Sequence, residues 1–186
     1  MKDPFFLRRD DTLLVVIDVQ EKLLPAMPPD RTATFLRYQK ALVEGFKLLE
    51  LPILWTEQYT KGLGPTTPEL SRLLVPLEPL EKNAFSCMRE DPFPRRLAER
   101  GRRQVVLCGI ETHVCVLQTA LDLLDQEYTV HIPEDAVGSR TEENRRNGLD
   151  LAGRAGAVIT NTETVLFQLL ERANLPPFKA VSRLIK

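Results

Sequence analysis

The segment Thr12 to Val19, TLLVVIDV, sets five apolar residues in a row and then a charge. An extended segment with no polar alternation must be covered on both faces. That is how a strand inside a parallel sheet reads. Parallel neighbours cannot be joined by a tight turn, so such a strand demands crossover helices elsewhere in the chain.

The rest of the sequence supplies them. Apolar residues recur at helical spacing from about Arg31 to Glu50, at Phe35, Leu36, Leu42, Val43, Phe46 and Leu49. Pro52 to Glu57, PILWTE, reads as a second strand. A loop rich in Gly and Pro follows from Tyr59 to Pro68, and Pro79 to Ala84 holds a short third strand. Asp91-Pro92 reads as an N-cap with Pro at the first helical position, opening a helix that stops at Gly101. Gln104 to Ile110, QVVLCGI, is the fourth strand, with a helix from about Thr112 to Gln126 after it. Tyr128 to Pro133 is the fifth strand. Ser139-Arg-Thr-Glu142 reads as a capping box for a helix running to about Gly153. Ala157 to Thr160 is the last strand, and a helix from about Glu163 to Ala173 closes the pattern. The predicted fold is α/β, a doubly wound, three-layer, Rossmann-like parallel sheet with helices on both faces. The 186 residues suit one domain over 1–186, with 43% hydrophobic residues to fill its core.

Charge excludes several functions. The chain has 25 basic and 26 acidic residues, and the short arginine pairs are interleaved with acids. Neither a nucleic-acid nor a membrane surface is expected. The start, MKDPFFLRRDD, lacks the apolar stretch of an export signal. Three cysteines, Cys87, Cys108 and Cys115, are an odd count without C-x-x-C spacing, so neither a disulfide framework nor a structural zinc site is expected. A reducing cytoplasm follows as the expected compartment.

In a doubly wound sheet the chemistry lies outside the carboxyl ends of the strands. Three chemically capable residues fall there, each after a different strand. Asp18 ends the first, Lys82 follows the third, and Cys115 lies five residues past the fourth, in the first turn of a helix. Taken singly, Asp18 marks a strand end, Lys82 is a surface cation and Cys115 is a small buried hydrophobe. Taken together they supply base, cation and nucleophile to one crevice, as acyl transfer requires. The helix N-terminus and Lys82 are expected to favour the thiolate. A Cys/His pair is disfavoured. His113 is two residues from Cys115, and positions i and i+2 do not face each other on a helix. His131 lies inside the fifth strand. Cys108 reads as core. Cys87 reads as structure near the rim.

These residues sit in Val16-Ile-Asp18-Val-Gln20, Glu81-Lys82-Asn83-Ala-Phe85 and Cys108-Gly-Ile-Glu-Thr-His-Val-Cys115-Val. With three motifs in this order, the chain resembles the isochorismatase-like cysteine hydrolases over about residues 10 to 172. The resemblance implies a triad of Asp18, Lys82 and Cys115. It also implies a cis peptide at Ile110–Glu111, and N–H groups of Glu111 and Cys115 directed at an oxyanion. It implies hydrolysis of a small amide C–N bond through a thioester, without a cofactor. Isochorismatases proper lack the nucleophilic cysteine. Nicotinamidases carry a histidine-containing metal stretch after the second strand, where Thr56 to Pro65 here has no histidine, so no metal is expected. Glu57-Gln-Tyr59 with Lys61-Gly-Leu-Gly64 is more similar to the YcaC-like and isochorismatase-domain-containing branch. Gln20, Trp55, Tyr59 and Phe85 are candidates for the substrate pocket. The resemblance also implies a homo-oligomer, a dimer or larger, with the tail Phe178 to Lys186 as a partner surface. The rival readings are a non-catalytic binding or scaffold member, and a redox thiol protein pairing Cys115 with Cys87.

Overall fold

The structure, a computed structural model, describes residues 3–174 and 176–186. Met1 and Lys2, where the segment read for an export signal begins, lie outside the described residues, as does Leu175. The apolar run forms β1 (Thr12–Ile17), buried along its whole length. It lies between β2 (Ile53–Gln58) and β4 (Gln104–Ile110), parallel to both, with Val16 opposite Trp55 on one side and Cys108 on the other. With β3 (Leu80–Lys82), β5 (Thr129–Pro133), β6 (Val137–Gly138) and β7 (Val158–Thr160) the sheet has seven strands. The order is β3-β2-β1-β4-β5-β7, and β6 pairs with the end of β4. The chain winds outward from β1 one way through β2 and β3. It then returns to β4 and winds the other way. The crevice where the winding reverses lies above β1 and β4.

Because successive strand residues point to opposite faces, β1 feeds two cores. Leu14 and Val16 pack against α1 (Pro29–Leu48), α3 (Pro68–Leu74), α7 (Thr162–Leu170) and α8 (Phe178–Leu184). Leu13, Val15 and Ile17 pack against α4 (Phe93–Ala98), α5 (Leu117–Asp125) and α6 (Glu142–Arg154). A short α2 (Thr60–Leu63) lies in the loop after β2. The result is the three-layer α/β fold read from the sequence. Each fully buried Leu, Ile or Val contributes about 1.5–3 kcal/mol, so the continuous apolar strands account for the sheet. Gly109 lets β1 and β4 close up at their carboxyl ends. Its φ is +126°, and a Cβ there would lie 2.1 Å from the Ile17 carbonyl oxygen.

Local details depart from the sequence reading. The helix after Asp91 begins at Phe93, with Pro92 in the cap position and Pro94 in its first turn, so Asp91 caps nothing. Two prolines compete for the start, and the first turn needs N–H groups least at the one that wins. The helix also ends at Ala98, before Gly101. Residues 139 to 142 form no Ser-to-Glu capping box. Thr141 is the cap, accepting from Asn144 N at 3.2 Å, while the Ser139 hydroxyl meets His113. The helix expected from Thr112 opens instead with a π turn over Thr112–Val116. The tail is not a bare partner surface: Val181 is fully buried, and Phe178 packs edge-on against Phe167.

His131 sits in the middle of β5, buried, 3.0 Å from the Pro4 carbonyl oxygen. A carbonyl only accepts, so Nε2 carries the proton. Burial pulls the imidazole pKa down to about 4, opposed by the bond to Pro4. An unfolded histidine titrates near 6.5. The native state resists protonation that the unfolded chain accepts. The stability is therefore fully present above about pH 6.5 and is lost as pH falls to about 4, by on the order of 3 kcal/mol in all. We expect His131→Gln, which cannot take up that proton, to flatten this part of the stability–pH curve in urea titrations. An unchanged slope between pH 6.5 and 4 would show that His131 does not carry it.

Candidate active site

Asp18 is the first residue past β1. Its φ of +52° turns the chain sharply out of the strand, a conformation Asp tolerates better than most residues. The carboxylate is completely buried and must be paired to persist there. The Thr56 hydroxyl donates to Oδ1 at 2.7 Å and the Lys82 ammonium to Oδ2 at 2.6 Å. Lys82, at the end of β3, is 1% exposed. It also donates to Gln58 Oε1 at 2.6 Å, Phe85 O at 3.1 Å and, more weakly, Ala84 O at 3.3 Å. Burial favours the neutral amine. The charge of Asp18 outweighs it and leaves the Lys82 pKa raised. Lys82 is therefore a permanent cation.

Cys115 lies in the π turn after β4, 7% exposed. Burial pushes its thiol pKa up, and the negative charge of Asp18 pushes it further; Lys82 opposes both. The thiolate expected from the sequence is therefore not the resting state. The Lys82 charge is already held by Asp18, and burial penalises a second anion. Cys115 rests as a thiol within the field of the Asp18 carboxylate. Such a pair can transfer its proton as the sulfur attacks.

The turn carrying Cys115 is held from outside the crevice. Ile110–Glu111 is a non-proline cis peptide. The Glu111 carbonyl accepts from the N–H groups of Val114 at 3.1 Å and Val116 at 3.2 Å. Thr112 Oγ1 donates to Gly138 O at 3.0 Å, and His113 Nδ1 lies 3.1 Å from Ser139 Oγ. Arg140 donates to Glu111 Oε2 through N at 3.0 Å and Nε at 3.1 Å. From α6, Gly148 backs the turn so closely that a Cβ would meet His113 Cα at 2.8 Å. His113 is therefore occupied on the far side of the turn, and neither histidine joins the site.

The pocket candidates separate into two kinds. Trp55 belongs to the core packed against α1 and α3, on the opposite sheet face from Thr56, so it does not line the crevice. Gln20 is fully buried and spent as a strut. Its amide nitrogen donates to Gln58 O and Gly64 O, and its oxygen accepts from Gln58 N. Tyr59 and Phe85 are both about half exposed, and both are tied to Lys82 through their backbones: Tyr59 N donates to Lys82 O at 2.9 Å and Phe85 O accepts from the ammonium at 3.1 Å. Cys87 is fully buried, 3.9 Å from Thr56 Oγ1, and burial raises its thiol pKa to about 11. All three cysteines are free and buried. The sequence reading missed Thr56 and Gln58, which hold Asp18 and Lys82. Polar side chains two apart at the carboxyl end of an apolar strand were the available signal. Among the described residues, no group of three or more His, Cys, Asp or Glu side chains is placed to hold a metal ion, and no helix is long and apolar enough to cross a membrane.

Residues 12–164 match the family model of the isochorismatase domain. The chain is 41% identical over 182 residues to the secreted isochorismatase effector Isc1 of Phytophthora sojae, covering 94% of this chain and 84% of that protein. It is 38% identical over 176 residues to isochorismatase domain-containing protein 2 of Xenopus laevis, covering 94% and 83%. Its fold matches the structure titled MAR1 ribonuclease from Caenorhabditis elegans with a TM-score of 0.89 and 35% identity, over 97% of this chain and 92% of that one. The Escherichia coli YcaC product, titled an octameric hydrolase of unknown specificity, superposes with a TM-score of 0.90 at 24% identity, over 100% and 91%. A family model spanning most of the chain, and relatives well above 30% identity over nine-tenths of it, make this protein a member of the isochorismatase family of hydrolases.

Proposed function

We propose that the protein hydrolyses a small amide through a thioester on Cys115. The observation that carries this reading is the buried Asp18–Lys82 pair at 2.6 Å, with the buried Cys115 thiol near enough to feel both charges. Asp18 takes the thiol proton as sulfur bonds to the carbonyl carbon. The N–H groups of Glu111 and Cys115 stabilise the oxyanion. Asp18 returns the proton to the leaving nitrogen as the C–N bond breaks. It then deprotonates the water that attacks the thioester and passes that proton to the Cys115 sulfur as the C–S bond breaks. Lys82 holds the carboxylate in place and keeps it charged between steps. With so little of Cys115 exposed, a slender acyl group fits best. The ribonuclease title belongs to the C. elegans protein. A net charge of −1 and a thiol nucleophile support acyl transfer here rather than phosphodiester cleavage. A cytoplasmic location is supported by the three free cysteines.

A panel of small amides read by ammonia release tests the reading. We expect Cys115→Ala to lower turnover of any substrate found by at least about 10³-fold with little change in folding. Asp18→Asn is expected to lower both activity and stability, the latter by about 3–5 kcal/mol, because it strands a buried ammonium. Full turnover by the Cys115→Ala protein would sink the thioester.

Chelation provides a separate check. Thiol, carboxylate and N–H donors supply nucleophile, base and oxyanion hole, so EDTA should leave turnover unchanged. Nicotinamide should be a poor substrate. Activity lost to EDTA and restored by zinc would overturn this mechanism.

We also propose a homo-oligomer, at least a dimer. The octameric title of the YcaC neighbour and the exposed Phe5, Phe6 and Val75 support it. Light scattering at micromolar concentration should give at least twice the chain mass of 21.2 kDa. A monomer would refute the assembly and leave the chemistry untouched.

A further inference from the structure

We infer that Thr56 is a positioning residue for the proposed chemistry, its hydroxyl holding the Asp18 carboxylate ready to take the Cys115 proton. The inference rests on the reading of Asp18 as the base. Lys82 alone anchors one carboxylate oxygen, Oδ2, and its ammonium is shared with three other acceptors. A single anchor leaves the carboxylate plane free to turn about its Cβ–Cγ bond. Thr56 fixes the other oxygen at 2.7 Å. Its own backbone is tied to the same residue, since Asp18 N donates to Thr56 O at 3.2 Å.

The hydroxyl has one proton, and its surroundings send that proton to Asp18. On the other side stands Cys87, whose sulfur is 3.9 Å from Oγ1 and whose raised pKa keeps it a thiol, a donor. Cys87 is itself seated by its N–H on Thr119 Oγ1 at 3.0 Å, and Thr119 lies one helical turn beyond Cys115. A chain of contacts thus runs from the helix of the nucleophile through Cys87 and Thr56 to the base. Valine would fill the same volume in the apolar strand ILWTEQ, and a buried hydroxyl is costly unless bonded. The hydroxyl therefore needs a reason to be there, and the bond to Asp18 supplies it. The titratable groups facing Asp18 across the crevice are Lys82, Cys87 and Cys115.

The test uses the full chain and no substrate. The rate of Cys115 alkylation by iodoacetamide is followed at one fixed pH near neutral by peptide mass mapping. The proteins compared are the parent, Thr56→Val, Thr56→Ser and Asp18→Asn. We expect Thr56→Val to lower the labelling rate about tenfold, because a carboxylate free to turn is less often placed to take the thiol proton. Thr56→Ser should restore the parent rate, which a merely structural role would not require. Should the valine variant fail to fold, Thr56→Ala carries the same comparison. If Asp18→Asn slows labelling but Thr56→Val does not, the positioning role is wrong and the base stands. Labelling slowed equally in the serine variant also overturns the role. If Asp18→Asn labels as fast as the parent or faster, the base reading falls and takes the inference with it.

Discussion

The contact between Lys82 and Asp18 makes the rest of this site possible. A carboxylate and an ammonium, both sealed from water, are tolerable only as a pair with their remaining valences met. Thr56, Gln58 and the carbonyls of Ala84 and Phe85 meet them. The pair in turn shapes the state of Cys115. Lys82 spends its charge on Asp18, so the buried Cys115 is not driven to thiolate at rest. In the proposed chemistry a resting thiol differs from a preformed thiolate, because the base would act at the moment of attack.

Much of this was legible before any coordinates. The continuous apolar runs at Thr12 and Gln104 cannot be half-solvated strands, and the helical periods between strands leave a parallel sheet as the arrangement that covers them. Because such a sheet gathers its carboxyl ends, Asp18, Lys82 and Cys115 could be brought together from spacing alone. The same property hid the rest. A strand buried on both faces shows no alternation, so nothing in ILWTEQ tells which residues share a face with Asp18. Trp55, a pocket candidate by sequence, therefore goes to the core, and Thr56, which had no role assigned, goes to the site. Gln20, a pocket candidate by sequence, is instead spent on backbone groups of Gln58 and Gly64 as a strut.

The protonation of Cys115 was illegible for another reason. A helix start and a nearby lysine both argue for thiolate, and both are visible in sequence. What reverses them is burial of the thiol, with the charge of a carboxylate from nearly a hundred residues away adding to it. Capping was misjudged at Ser139 on similar grounds. The motif was present, but tertiary structure had already engaged the hydroxyl with His113.

The cation of this site is carried by β3, a strand of three residues at the edge of the sheet. Edge strands this short have few backbone bonds of their own and are the first part of a sheet to fray. Here the side chain at its end reaches inward and is tied to the centre of the sheet through Asp18. The chemistry thus doubles as the rivet of a weak margin. Asp18, Lys82 and Cys115 are far apart along the chain, so their meeting requires long-range pairings that fold slowly. A molecule whose margin has lifted loses ion pair and base geometry at one stroke, which makes competence a cooperative property of the folded sheet.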